Sequence, residues 1–204
     1  MLPNIKFNSA KKPLLSSVPF ISLGLVFALS SFCVGNTIIF HSEKIIFEVH
    51  PDHCHVSGIY TLRNDSPETV RKMLYFPFPE DENLPFPHTI CITDADNNPI
   101  EYQKGRTGIH FPVKIPSKSA TDITITYEQA TPGKYFEYIL DTTMKWHFPL
   151  VSAEFILIVS PEITLEKILP GDYLLIQNGS KSYYRIYREN FRTADNLRLQ
   201  WSLK

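Results

Sequence analysis

The sequence predicts an all-β chain, an antiparallel β-sandwich of Ig-like or related type, on three observations. Apolar and polar residues alternate with a period of two through most segments after residue 36, and no segment there holds a helical period. Pro is rich, at 16 of 204 residues, and 14 Phe with 10 Tyr supply side chains that suit a pleated surface. Turn-forming clusters separate about eleven short runs, and no helices intervene as a parallel α/β fold would require.

Taken in order, "KIIFEVH" sets Ile45, Phe47 and Val49 on one side. "HVSGIYTLRN" turns Val56, Tyr60 and Leu62 inward, with Gly58 a candidate bulge. "TVRKMLYF" follows the turn "NDSPE". "HTICIT" and "PIEYQK" flank "DADNN", which has hairpin composition. "GIHFPVKIP" alternates Ile109, Phe111, Val113 and Ile115 against His110, Pro112, Lys114 and Pro116. Pro112 donates nothing to a ladder, which predicts an edge strand. "DITITYEQ" and "KYFEYIL" come next. "AEFILIVS" is apolar on both faces, as a central strand is. "DYLLIQ" and "SYYRIYR" enclose the hairpin signal "NGS". "LRLQWSLK" ends the chain with Leu197, Leu199, Trp201 and Leu203 on one face. The Pro-rich segment 76–87, "FPFPEDENLPFP", is the least regular.

The N-terminus predicts export. Lys6, Lys11 and Lys12 precede a run from Pro13 to Ser42 without a charged residue. A basic end followed by a short apolar stretch is the pattern of a secretory signal. Cys33 and Gly35 fit the small-residue sites before cleavage at Asn36, with Ala28 and Ser30 as another pair. Uncleaved, residues 13–35 form a helix that anchors the chain in a membrane. Residues 1–35 are thus read as signal or anchor, and residues 36–204 as a single β-sandwich domain, periplasmic or extracellular, either secreted or anchored. The net charge is −1, so no overall field draws nucleic acid.

Three features bear on chemistry. In "EVHPDHCHVSG" the residues His50, His53 and His55 crowd together. His53 and His55 share a strand face at about 7 Å, a spacing that suits Zn or Cu if the turn at Pro51 folds His50 back. The same two histidines equally suit the solvent face of an outer strand. Cys54 and Cys91 are the candidate disulfide in an exported chain, but parity puts Cys54 with the core set and Cys91 opposite Ile90 and Ile92, which favours separate thiols. Phe78, Leu84 and Phe86 in the Pro-rich loop are candidate exposed contacts for a partner protein or envelope component.

Other motifs fail. "DADNNP" opens like a calcium loop at Asp94, Asp96 and Asn98, but Pro99 stands where Gly is needed and Gly105 where the closing Glu belongs. There is no G-x-S-x-G, H-E-x-x-H, P-loop or dinucleotide fingerprint. Asn64 and Asn178 open N-x-S glycosylation sequons.

Two phrases carry a resemblance. "YTLRNDSPETVRKMLYFPFPED" and "YILDTTMKWHFPLVSAEFILIV" resemble exported bacterial β-sandwich domains of unknown function. The first phrase also resembles, more weakly, the N-terminal domain of the inter-alpha-trypsin inhibitor heavy chains. The resemblance implies a β-sandwich outside the cytoplasm and brings no active site. Trp146, with Pro149, reads as a packing corner or as a ligand-contacting indole. The expected function is a non-enzymatic binding or structural role in the cell envelope without a cofactor; the alternative is a Zn- or Cu-binding exported protein.

Overall fold

The computed structural model describes residues 38–178 and 181–204. The expected signal or anchor over residues 1–35 lies outside them, as does the centre of the "NGS" turn.

Thirteen strands carry the described chain. They are β1 (Ile38–Val49), β2 (His53–Asn64), β3 (Val70–Pro77), β4 (His88–Thr93), β5 (Gln103–Lys104), β6 (Gly108–Ile115) and β7 (Ser119–Ala130). Then come β8 (Tyr135–Tyr138), a 3-10 turn (Asp141–Lys145), β9 (Leu150–Val159), β10 (Ile163–Leu169), β11 (Leu174–Asn178), β12 (Lys181–Phe191) and β13 (Leu197–Leu203). β10 was not foreseen. In "ITLEKIL" the apolar residues break step where β10 shifts register against β13, between Leu165 and Lys167.

The strands form a seven-stranded sheet, β11-β12-β9-β1-β2-β7-β4, and two three-stranded sheets, β10-β13-β8 and β3-β6-β5. One face of the large sheet is covered by the two small ones. Phe47 on β1 packs edge-on against Phe136 and Tyr138 of β8. Phe76 on β3 packs edge-on against Tyr60 of β2 and Tyr127 of β7. The buried core runs through this shared layer.

The sandwich is not wholly antiparallel. β1 and β9 run parallel from Ser42 opposite Ser152 to Val49 opposite Val159. Alternation sets which face a side chain takes, but not the direction of the neighbouring strand; the long β2–β8 excursion provides the crossover that a parallel pair needs.

Three further expectations are corrected. β6 lies between β3 and β5, so it is not an edge throughout; β5 pairs only with Ile109 and His110, so Pro112, opposite Met73 of β3, has no strand on its other side. Gly58 is no bulge, because β2 keeps an unbroken register with β7 along its whole length. Leu203, the last residue of β13, is exposed, whereas Leu197, Leu199 and Trp201 are buried. The large sheet ends in β11, where Leu174, Leu175 and Ile176 are all exposed.

Candidate functional site

The site begins with a change of parity in β1. Ile38 and Phe40 point inward at even positions, whereas Ile45, Phe47 and Val49 do so at odd positions. One extra residue must be absorbed between the two sets. The register with β2 shifts between Phe40 and Ser42, which is where a bulge achieves this. The odd set then starts at Glu43, and an acid takes a core position. It is 5% exposed, and its Oε1 has no hydrogen-bond partner among the described residues. Burial raises its pKa to about 8, so the carboxyl keeps its proton at neutral pH.

Opposite Glu43 stand Tyr60 on β2 and Ala153 on β9. Tyr60 lies back over Gly58, where a Cβ would come within 2.4 Å of the phenol oxygen. Gly58 is therefore needed for space. The Tyr60 hydroxyl reaches across the layer to that of Tyr138 on β8 at 2.8 Å. Burial raises the pKa of both phenols, so both stay neutral.

Beside these groups is a cavity of about 110 Å³. Phe40, Leu62, Ile123 and Ile125 line it from the large sheet, Phe76 and Phe111 from β3 and β6, and Leu140 and Thr143 from the segment after β8. Its half-buried members are Leu74, Tyr75, Phe76, Pro77, Ile139, Thr142 and Trp146, which make the rim. The Trp146 ring lies 5.4 Å from that of Phe40. Trp146 is thus both a packing residue and a wall of the cavity. For scale, an apolar protein cavity of roughly 150 Å³ holds a benzene molecule. The space suits a few apolar heavy atoms with one polar end near Glu43.

The predicted site residues lie elsewhere. His50, His53 and His55 do not converge. The His50 and His53 rings stack at 4.5 Å with 13° between planes, so their in-plane lone pairs run side by side. His53 Nδ1 is 2.7 Å from Asp52, His55 Nδ1 is 3.7 Å from Glu48, and His50 Nδ1 is 3.3 Å from Ser160 Oγ. Partial burial, then the neighbouring His53, lowers the His50 pKa. Among the described residues, no three His, Cys, Asp or Glu side chains gather as a metal-holding group.

Cys54 and Cys91 are both free thiols. β7 separates them, with Cys54 opposite Gln129 and Cys91 opposite Thr126; Cys54 is buried in the core and Cys91 is exposed. The parity argument for separate thiols agrees with this placement.

The proposed contacts in the Pro-rich loop are corrected. Phe78 and Leu84 are 2% and 1% exposed, and Phe86 is half-buried. The loop folds back onto the sheet because Gln129 Nε2 donates to the carbonyls of Pro79 and Pro85, each at 2.9 Å. Phe78 then fills the space between Phe76, Phe86 and Tyr127. Local irregularity resembles a surface loop in sequence, but three aromatic side chains need a core.

Sequence reading passed over Glu43, although the signal was present. Stepping back by twos from Val49 through Phe47 and Ile45 lands on it.

No protein-family model and no curated protein matches the chain. Among solved structures, it is similar to a "putative nutrient binding protein" of Legionella pneumophila, at TM-score 0.64 and 16% identity, over 79% of this chain and 66% of that one. It is less similar to an M1 zinc metallopeptidase of Deinococcus radiodurans, at TM-score 0.47 and 8% identity, over 80% of this chain and 42% of that one. The chain therefore spans about two thirds of the first structure and less than half of the second. The Legionella likeness shows a shared β-rich fold.

Proposed function

We propose that this chain is an exported, non-enzymatic binding module of the cell envelope, secreted or held by its N-terminal segment, whose cavity between the sheets takes a compact apolar ligand. The observation that carries the reading is the apolar cavity with its half-buried rim and one buried carboxyl that has no partner for Oε1. Wholly apolar lining would suit mere imperfect packing; an unmatched polar atom beside the space is a group that a guest can satisfy. Export rests on the basic and then apolar N-terminus. A binding role is also in keeping with the Legionella neighbour, whose own description is of nutrient binding. The binding of a protein or envelope component belongs to the same reading, but Phe78 and Leu84 are no longer its contact points.

Ligand-observed NMR on the full chain tests the cavity, with isopentane, isobutyl alcohol and isobutylamine as probes. Saturable binding of at least one is expected, and it should be lost when Leu74→Trp fills the rim. Three probes without saturable binding overturn the cavity reading. Fractionation of cells making the full chain tests export, and recovery in the cytosol alone overturns that part.

A further inference from the structure

We propose that the cavity selects small aliphatic amines, with Glu43 as the carboxylate that receives the ammonium group. This rests on the reading of the cavity as a ligand site.

The argument starts from the wall chemistry. Among the described residues, Glu43 is the one acid lining the space, and no basic side chain lines it. Its Oε1 is buried without a partner. The other titratable groups facing the cavity are Tyr60, Tyr75 and Tyr138. Tyr60 and Tyr138 satisfy each other at 2.8 Å, and Tyr75 bonds Thr107 at 2.8 Å, away from Glu43. None of the three supplies a counter-charge. A ligand that brings its own positive charge and hydrogen-bond donors therefore completes what the fold leaves open: an ammonium group offers three donors to the carboxylate, while its alkyl tail meets Phe40, Leu62 and Phe76. An anionic ligand would bring a buried charge with no cation to meet it, since no basic side chain lines the space among the described residues.

The size of the site narrows the class further. About 110 Å³ accepts about four or five heavy atoms by comparison with a benzene-holding cavity of roughly 150 Å³. Branched or short linear monoamines fit this limit, and polyamines with a second charge do not, because no second acid lines the space among the described residues.

Binding an ammonium requires Glu43 to release its proton to solvent. Burial holds that proton up to about pH 8 in the free protein, so amine affinity should rise with pH towards that value and binding should release protons below it. A neutral alcohol, bound to the protonated acid, shows the opposite trend.

The test is isothermal titration of the full chain with isobutylamine, isobutyl alcohol and isopentane, in two buffers of different ionisation heat, with Glu43→Gln alongside. Isobutylamine should bind at least about tenfold more tightly than the alcohol at pH 8, with proton release at pH 7. That advantage should vanish in Glu43→Gln. The wild-type proton release needs no variant, so it stands even if Glu43→Gln folds poorly. If the alcohol or isopentane binds as well as the amine, without proton release, amine selection is overturned and the cavity reading survives. If none of the three binds, the cavity is a solvent pocket and both fall.

Discussion

Two buried polar side chains on β2 and β1, Asn64 and Glu43, sit under the same sandwich and are treated in opposite ways. Asn64 is fully buried at the end of β2. Its Nδ2 donates to the carbonyls of Glu68, Ile115 and Pro116 at 2.7, 3.1 and 2.9 Å, and its Oδ1 accepts from the N–H and hydroxyl of Ser66 at 2.9 and 2.7 Å. It ties the β2–β3 turn to the end of β6 and leaves nothing for a guest. It also leaves nothing for a glycan, so the Asn64 sequon is closed in the folded chain. Glu43 has an unmatched oxygen beside open space. A buried polar group that is satisfied fixes a structure; one that is unsatisfied costs stability and is retained where something else can meet it.

The contrast can be broken experimentally, and pH has the largest expected effect. The unfolded carboxyl of Glu43 titrates near 4.5 and the folded one near 8. Between these values the folded state holds a proton that the unfolded state has lost, so stability is full below about pH 4.5 and falls as pH rises through about 8. The contribution is at most about 5 kcal/mol. Glu43→Gln should remove this part of the slope, measured as the difference between the two urea-denaturation profiles from pH 4 to 9. Parallel profiles would show that the acid is solvated in the folded chain.

Asn64→Ala comes next. It strands several buried backbone groups at once and should cost about 3 kcal/mol, read as a lower denaturation midpoint at unchanged slope. A loss under about 1 kcal/mol would mean that water replaces the amide.

The histidine end of the same ladder should respond least. His55 has Glu48 at 3.7 Å on an exposed face. His55→Ala is expected to change stability by less than about 0.5 kcal/mol, and added Zn or Cu should leave the melting temperature of the full chain unchanged. A metal-dependent rise that His55→Ala abolishes would restore the three histidines as ligands. Density of metal-binding residue types thus says less here than the burial of a single acid.

Much of this was legible along the chain. Alternation locates most strands, because a strand with one buried face must show it every second residue. It also separates Cys54 from Cys91 and puts His53 and His55 on the outer side. "DADNN" is a turn because Asp94 Oδ1 accepts from the N–H groups of Asp96 and Asn98, both at 2.9 Å, a local arrangement that composition announces. The burial of Phe78 and Leu84 was not legible, since it depends on Gln129, more than forty residues away.

What the sequence by itself determined is therefore the all-β class, the strand faces and the local turns. These follow from backbone periodicity and short-range hydrogen bonding. Tertiary structure alone decided that β9 runs parallel to β1, that the Pro-rich loop folds inward, and that Glu43 meets Tyr60, Tyr138 and a cavity. Those features depend on which distant segments meet, and a period of two carries no information about a partner's identity or direction.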